Sequence, residues 1–176
     1  MELVELEQPT PDVLVALLER HHLLPQSIRL DPTIAVNAAS LCNCLRIDLG
    51  GEPGMLILEF PGGEPGTCRL EVIALQKRVD KRADDIKTKA QEFYNRWFGT
   101  YGLHRVETTV PATRKQVPRV LKALGFVEET YRGVGIRNAV DFGKGPETLY
   151  LYSLTPHDVA PATEEEPETV AVASEQ

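Results

Sequence analysis

Six basic side chains fall between residues 77 and 89: Lys77, Arg78, Lys81, Arg82, Lys87 and Lys89. Three acids, Asp80, Asp84 and Asp85, are interleaved with them. Cations crowded at the start of a helix suit a phosphate group, and nucleic-acid affinity through such a stretch would fall steeply with salt. A second basic set, Arg114, Lys115, Arg119 and Lys122, could hold a phosphate but reads first as a solvated helix face. Cys42, Cys44 and Cys68 are odd in number and lack paired spacing, which points to buried reduced thiols. A metal would need about four ligands, and only His21 and His22 stand ready elsewhere, so no metal site is expected.

The 176-residue chain is one domain's length, and at 42% hydrophobic and 26% charged it has the composition of a globular protein. It has no apolar run of the roughly 20 residues that span a bilayer, and its first residues lack the basic and apolar regions of a signal peptide. Cytoplasm is the expected compartment, without membrane contact. The net charge of −7 is concentrated: residues 157–176 carry Asp158, Glu164, Glu165, Glu166, Glu168 and Glu175 and no Lys or Arg. Without those six acids, 20 acidic residues face 19 basic ones, so a broad nucleic-acid surface is not indicated. The segment cannot bury enough apolar area to offset its ordering entropy, and it is expected to be disordered unless it docks on something.

The elements that position these residues follow from periodicity and punctuation. Residues 1–6 alternate as a short strand. Thr10-Pro11 opens a helix carrying Val13, Leu14, Leu17 and Leu18, and Asp31 caps a second one over 32–39. Strands follow over 41–49, 55–60 and 67–75, separated by Gly and Pro turns in the manner of an antiparallel meander. The spacing of Ala83, Ile86, Ala90, Phe93, Tyr94 and Trp97 predicts one long helix over 81–98. A buried strand over 104–110 precedes a helix with Val117, Val120, Leu121 and Leu124 inward and Gly125 as its stop. Thr113 and Gln116 have capping-box spacing, although Pro118 places the helix start nearer Lys115. Strands over 126–132 and 148–154 close the chain, joined by a Gly-rich segment.

Strand, two helices, three strands, long helix, strand, helix, two strands: this order resembles that of the GNAT (N-acetyltransferase) superfamily. The likeness is sharpest over 103–131, where His-Arg-Val-Glu-Thr-Thr-Val leads to Val-Leu-Lys-Ala-Leu-Gly-Phe-Val-Glu-Glu. The resemblance implies an α/β (α+β) fold with a mixed, mostly antiparallel sheet flanked by helices. It implies a single domain over 1–155, with residues 156–176 as an acidic tail.

It also implies a coenzyme site. The family's diphosphate loop reads Gln/Arg-x-x-Gly-x-Gly/Ala, and the matching stretch here is Arg78-Val79-Asp80-Lys81-Arg82-Ala83. Arg78 and Ala83 fit the outer positions, while Lys81 replaces the central glycine. Asp80, Asp84 and Asp85 put negative charge where a diphosphate would dock. The Asn that often opens the last helix is Arg114 here, and the Tyr that often protonates the thiolate falls at Leu121, which cannot donate a proton. Tyr131, Tyr150 and Tyr152 are the substitutes nearby. By the same resemblance, main-chain amides of the splayed central strand, about Ile73–Leu75, would hold a thioester carbonyl, and Glu71 would be a general base. Glu59 and His104 have weaker claims.

Two functions follow. One is a non-catalytic GNAT-like protein that binds another protein, with its acidic tail as a candidate contact. In layout it resembles small GNAT-like proteins of tailed bacteriophages, including internal virion and head-associated ones. The other is an N-acyltransferase using acetyl-CoA, held by Ile73, Leu75, Arg78, Lys81 and Ala83, with Glu71 deprotonating an amine. A small-ligand sensor or nucleic-acid accessory is a distant third.

Overall fold

The structure is a computed structural model that describes residues 2–24, 31–130, 135–141 and 145–159. Its elements are β1 (Glu2–Leu6), α1 (Pro11–Arg20), α2 (Pro32–Ser40), β2 (Asn43–Leu49), β3 (Glu52–Pro61) and β4 (Thr67–Ala74). A 3-10 turn (Val79–Arg82) leads to α3 (Ala83–Lys87), α4 (Ala90–Tyr94), a π-helical turn (Asn95–Thr100) and β5 (Arg105–Pro111). Then come α5 (Val117–Ala123), β6 (Val127–Glu128), β7 (Ile136–Asp141), β8 (Pro146–Leu154) and α6 (Pro156–Val159).

One sheet runs in the order β1-β2-β3-β4-β5-β8-β6, with β7 on β8. Every pairing is antiparallel except β4 with β5. Alternation along β3 and β4 sends side chains to two layers. Ile57, Leu70 and Val72 meet Ile86, Phe93, Trp97 and Val120 on one face. Leu58 and Ile73 meet Leu14, Leu18 and Leu24 on the other.

The caps of the first two helices form as their residue types demand. Thr10 Oγ1 accepts from the Val13 amide with Pro11 next to it, and Asp31 Oδ1 accepts from the Thr33 amide at 3.0 Å. α5 begins at Val117 with Pro118 in its first turn, where a missing N–H costs nothing. Thr113 caps nothing; its hydroxyl donates to Glu147 at 2.7 Å.

Three predicted elements are corrected. The helix expected over 81–98 is broken at Thr88 and Lys89. Thr88 Oγ1 donates back to the Asp85 carbonyl, and the Lys89 amide reaches Ile86, one residue short of α-helical spacing. The apolar stripe survives the break, with Ile86, Phe93 and Trp97 fully buried. The Gly-rich stretch expected to be a connection contains β7, while the strand expected over 126–132 shortens to Val127–Glu128, with 131–132 outside the described residues. The helical turn α6 packs Val159 against the core, so the body reaches a few residues past 155.

Candidate functional site

The site follows from one interruption in the sheet. β4 and β5 pair from Thr67 and Arg105 only as far as Leu70 and Thr108. β4 continues to Ala74 and β5 to Pro111, so the two strands part. On its far side β4 stays bonded to β3, and β5 stays bonded to β8 through Pro111. A V-shaped gap is left, with the main chain of β4 on one wall.

Strand alternation decides which groups face the gap. The Leu75 amide donates to the Gly54 carbonyl of β3 at 2.9 Å, so its polar main chain points away from β5. Ile73, two residues earlier in the same ladder, points the same way. The carbonyl of Val72 does face the gap, since Arg114 donates to it. Of the amides expected to hold a carbonyl about Ile73–Leu75, those of Ile73 and Leu75 therefore point away from the gap, and Ala74 is the one that faces it. The strand positions that present main chain to the gap are Val72 and Ala74.

Arg114 crosses this gap. One guanidinium nitrogen donates to the Val72 carbonyl at 3.4 Å, and another donates to the carbonyl of His21, the C-cap residue of α1. Burial lowers the pKa of this side chain, and the carboxylates of Glu71 and Glu147 oppose that shift. One arginine thus ties α1, β4 and the β5–α5 loop together at the mouth of the V.

A cleft of about 550 Å³ opens there. Its charged and titratable lining is His21, His22, Lys77, Arg114, Lys115 and a single acid, Glu147. His21 is held below its ordinary pKa by burial and by the positive charge of Arg114 and Arg20. Gln116 also lines the cleft, and its Oε1 is buried with no hydrogen-bond partner among the described residues.

On the α1/α2 side of β4 a second cavity of about 250 Å³ holds Glu71 and Arg69 among Leu18, Leu23, Phe60 and Leu149. Burial pushes the Glu71 carboxyl up to about 7, against the pull of Arg69 and Arg114. Arg69 lies 3.4 Å from it and is half exposed.

The predicted diphosphate loop takes another shape. Arg78 adopts the left-handed conformation at φ 63°, and residues 79–82 form a 3-10 turn in which the Lys81 amide donates to the Arg78 carbonyl. Asp80 pairs with Arg119 of α5 at 3.0 Å, and Arg82 pairs with Asp85. Arg78 and Lys81 are exposed, and Arg78, Lys81 and Ala83 do not line the cleft; Lys77 does.

The remaining candidates are placed elsewhere. Leu121 is fully buried. Tyr152 donates to Glu128 at 3.2 Å, and burial with that carboxylate pushes its hydroxyl up to about 12. Tyr150 borders a separate pocket with Arg114 and Glu128, and Tyr131 lies outside the described residues. Glu59 is buried and accepts from Trp97 and Arg96; its strand partner is Leu70, where β4 and β5 are still joined. His104 is exposed and packs over Gly66. The three cysteines are free and buried, and burial pushes Cys42 and Cys68 up to about 12. Among the described residues no helix is long and apolar enough to cross a membrane.

Solved structures share this architecture. The spermidine N-acetyltransferase from Vibrio cholerae, in complex with CoA and spermine, superposes with a TM-score of 0.57 at 12% identity, covering 89% of this chain and 96% of its own. Mycobacterium smegmatis RimJ in complex with CoA-disulfide gives 0.57 at 16% identity, over 90% of this chain and 83% of its own. A GNAT-family acetyltransferase from Streptococcus pneumoniae gives 0.53 at 16% identity, over 88% and 99%. No protein-family model matches the chain, and no curated protein matches it in sequence. At these identities the likeness is one of fold, and the fold is GNAT.

Proposed function

We propose that this GNAT-fold protein does not transfer acetyl groups and acts by binding another protein. The observation that carries this reading is Arg114, whose guanidinium occupies the gap between β4 and β5 and bonds to the Val72 carbonyl. That carbonyl belongs to the stretch of β4 left without a strand partner on the β5 side. In the solved complex of Mycobacterium smegmatis RimJ the fold holds CoA-disulfide. The residues here do not fit such a ligand. A side chain stands in the gap, and a 3-10 turn without glycine replaces the loop. Leucine at position 121 removes the customary acid. Sites rather than folds carry chemistry, and this site lacks its parts.

Within this reading the protein serves as an interaction or structural component inside a cell or a bacteriophage particle, such as a virion or head-associated assembly. The phage context rests on the layout of the sequence alone.

A second reading has one observation in its favour. Glu71 sits in an apolar cavity with its carboxyl raised to about 7, a value suited to taking a proton from an amine near neutral pH. The cation-lined cleft lies at the end of the same strand. An acetyl-CoA-dependent N-acyltransferase would use both.

Calorimetric titration with acetyl-CoA, with desulfo-coenzyme A as control, separates the two. No heat of binding at millimolar ligand is expected. Micromolar binding would overturn the non-catalytic reading and turn attention to amine acceptors with Glu71→Gln alongside.

A further inference from the structure

The charge pattern around α5 leads from one end of the described chain into the cleft. β8 ends at Leu154, whose side chain lies 3.4 Å from where a Cβ on Gly125 would stand, and Val159 packs on the same core layer. The described chain therefore ends on the core layer that the C-terminal end of α5 shares. At the other end of α5 the chain passes through Gln116, Lys115 and Arg114, which line the cleft. At 1.5 Å per residue the two ends are about 12 Å apart.

Between them runs a basic track. Lys122, Arg119 and Lys115 are spaced by three and four residues, which places them along one side of the helix and its lead-in, and all three are exposed. Arg119 is 67% exposed despite its pairing with Asp80. The track ends at Lys77, Arg114, His21 and His22, with Glu147 as the only acid among the described residues that line the cleft.

The sequence supplies a matching anion on the same chain. Glu164, Glu165, Glu166 and Glu168 follow Val159 by five to nine residues, with no Lys or Arg among residues 160–176. An extended chain covers about 3.4 Å per residue, so these carboxylates reach roughly 17–30 Å from Val159. That span covers the length of α5 and the mouth of the cleft. A peptide also brings main-chain N–H groups, which a bare phosphate lacks, and the buried Gln116 Oε1 has no donor among the described residues.

We propose that residues 164–168 of the chain's own acidic segment run along the Lys122–Arg119–Lys115 side of α5 and occupy the cation-lined cleft. The segment then acts as a tethered competitor for any anionic ligand of the cleft, at an effective concentration in the millimolar range. The proposal does not depend on whether the cleft accepts a coenzyme, because the probe below is not one.

The test uses the full chain with E164Q/E165Q/E166Q/E168Q, four changes beyond the described residues, and inorganic tripolyphosphate as probe. Removing the tethered acids is expected to tighten tripolyphosphate binding at least tenfold at low salt, and Lys115→Ala in the same background should reverse most of that gain. Amide resonances of Lys77, Lys115, Arg119 and Lys122 should shift between the parent and the quadruple variant, and the parent's should move towards the variant's at 0.5 M salt. Equal tripolyphosphate affinity in parent and variant would overturn the proposal, and so would unmoved resonances. A difference that vanishes on dilution would also overturn it, since it would assign the segment to a neighbouring copy's cleft.

Discussion

The indole Nε1–H of Trp97 donates to the carboxylate of Glu59 at 2.7 Å, inside the body of the protein. Arg96, the preceding residue, bonds both oxygens of the same carboxylate and reaches Glu5 at 3.1 Å. Neighbouring residues on an α-helix point about 100° apart; the π-helical turn over Asn95–Thr100 widens the helix here, and both side chains meet one acceptor. Tyr101 stacks on the guanidinium at 4.8 Å. Glu59 therefore anchors the end of the helical layer to β3.

Glu59→Ala would leave a buried indole N–H without its acceptor and a mostly buried guanidinium with only the exposed Glu5 carboxylate, a loss of about 3 kcal/mol. Urea unfolding followed by the fluorescence of Trp97, the chain's single tryptophan, gives the measurement. A midpoint equal to the parent's would show that the network adds nothing. Glu59→Gln keeps one acceptor for the indole and should lose less than the alanine variant.

Glu71 makes stability depend on pH with a definite sign. Its carboxyl is raised to about 7 in the folded chain, so between its ordinary value and about pH 7 the folded state holds more protons than the unfolded one. Stability therefore falls as pH rises through that window. Glu71→Gln should match the parent near pH 4 and exceed it by about 2 kcal/mol at pH 8, less whatever Arg114 loses without a nearby carboxylate. Parallel pH profiles of the two unfolding midpoints would contradict the assignment.

The fold was legible where period and punctuation agree. The caps at Thr10 and Asp31, the meander of β2 to β4 and the stripe from Ile86 to Trp97 all lie where the residue types place them. The break at Thr88 was not, because it depends on one hydroxyl returning to Asp85, which periodicity does not see. Strand parity was the missed signal at the site. Once Gly54 is seen to bond Leu75, Val72 and Ala74 follow as the residues facing the gap. Nothing in the sequence announces that Arg114 reaches across 42 residues to Val72, since that contact is purely tertiary.

Gly125 joins α5 to β6 with φ at +83°, and a Cβ there would stand 2.7 Å from the Tyr94 hydroxyl. That hydroxyl donates to the neighbouring Leu124 carbonyl at 3.0 Å. Gly125→Ala combines left-handed strain with displacement of this bond, a cost of about 2 kcal/mol. Thermal unfolding of the variant beside Tyr94→Phe tells the two parts apart. If Gly125→Ala costs no more than Tyr94→Phe, backbone strain is not part of the effect.

Arg114 is where the non-catalytic reading is most exposed to refutation. Its guanidinium bonds the Val72 and His21 carbonyls, so Arg114→Ala should cost about 1 kcal/mol of stability while emptying the gap. Lys81→Gly addresses the other obstacle, the side chain on the 3-10 turn where the family places glycine. If these two residues are what excludes coenzyme, the double variant should bind acetyl-CoA measurably where the parent does not. Neither change alone should do as much, because each leaves the other obstacle in place. A parent that binds as tightly as the double variant would mean that Arg114 swings aside at little cost, and the chain would then be an acyltransferase candidate with Glu71 as its base. A double variant that still fails to bind would mean that the turn over Val79–Arg82, rather than the two side chains, closes the site.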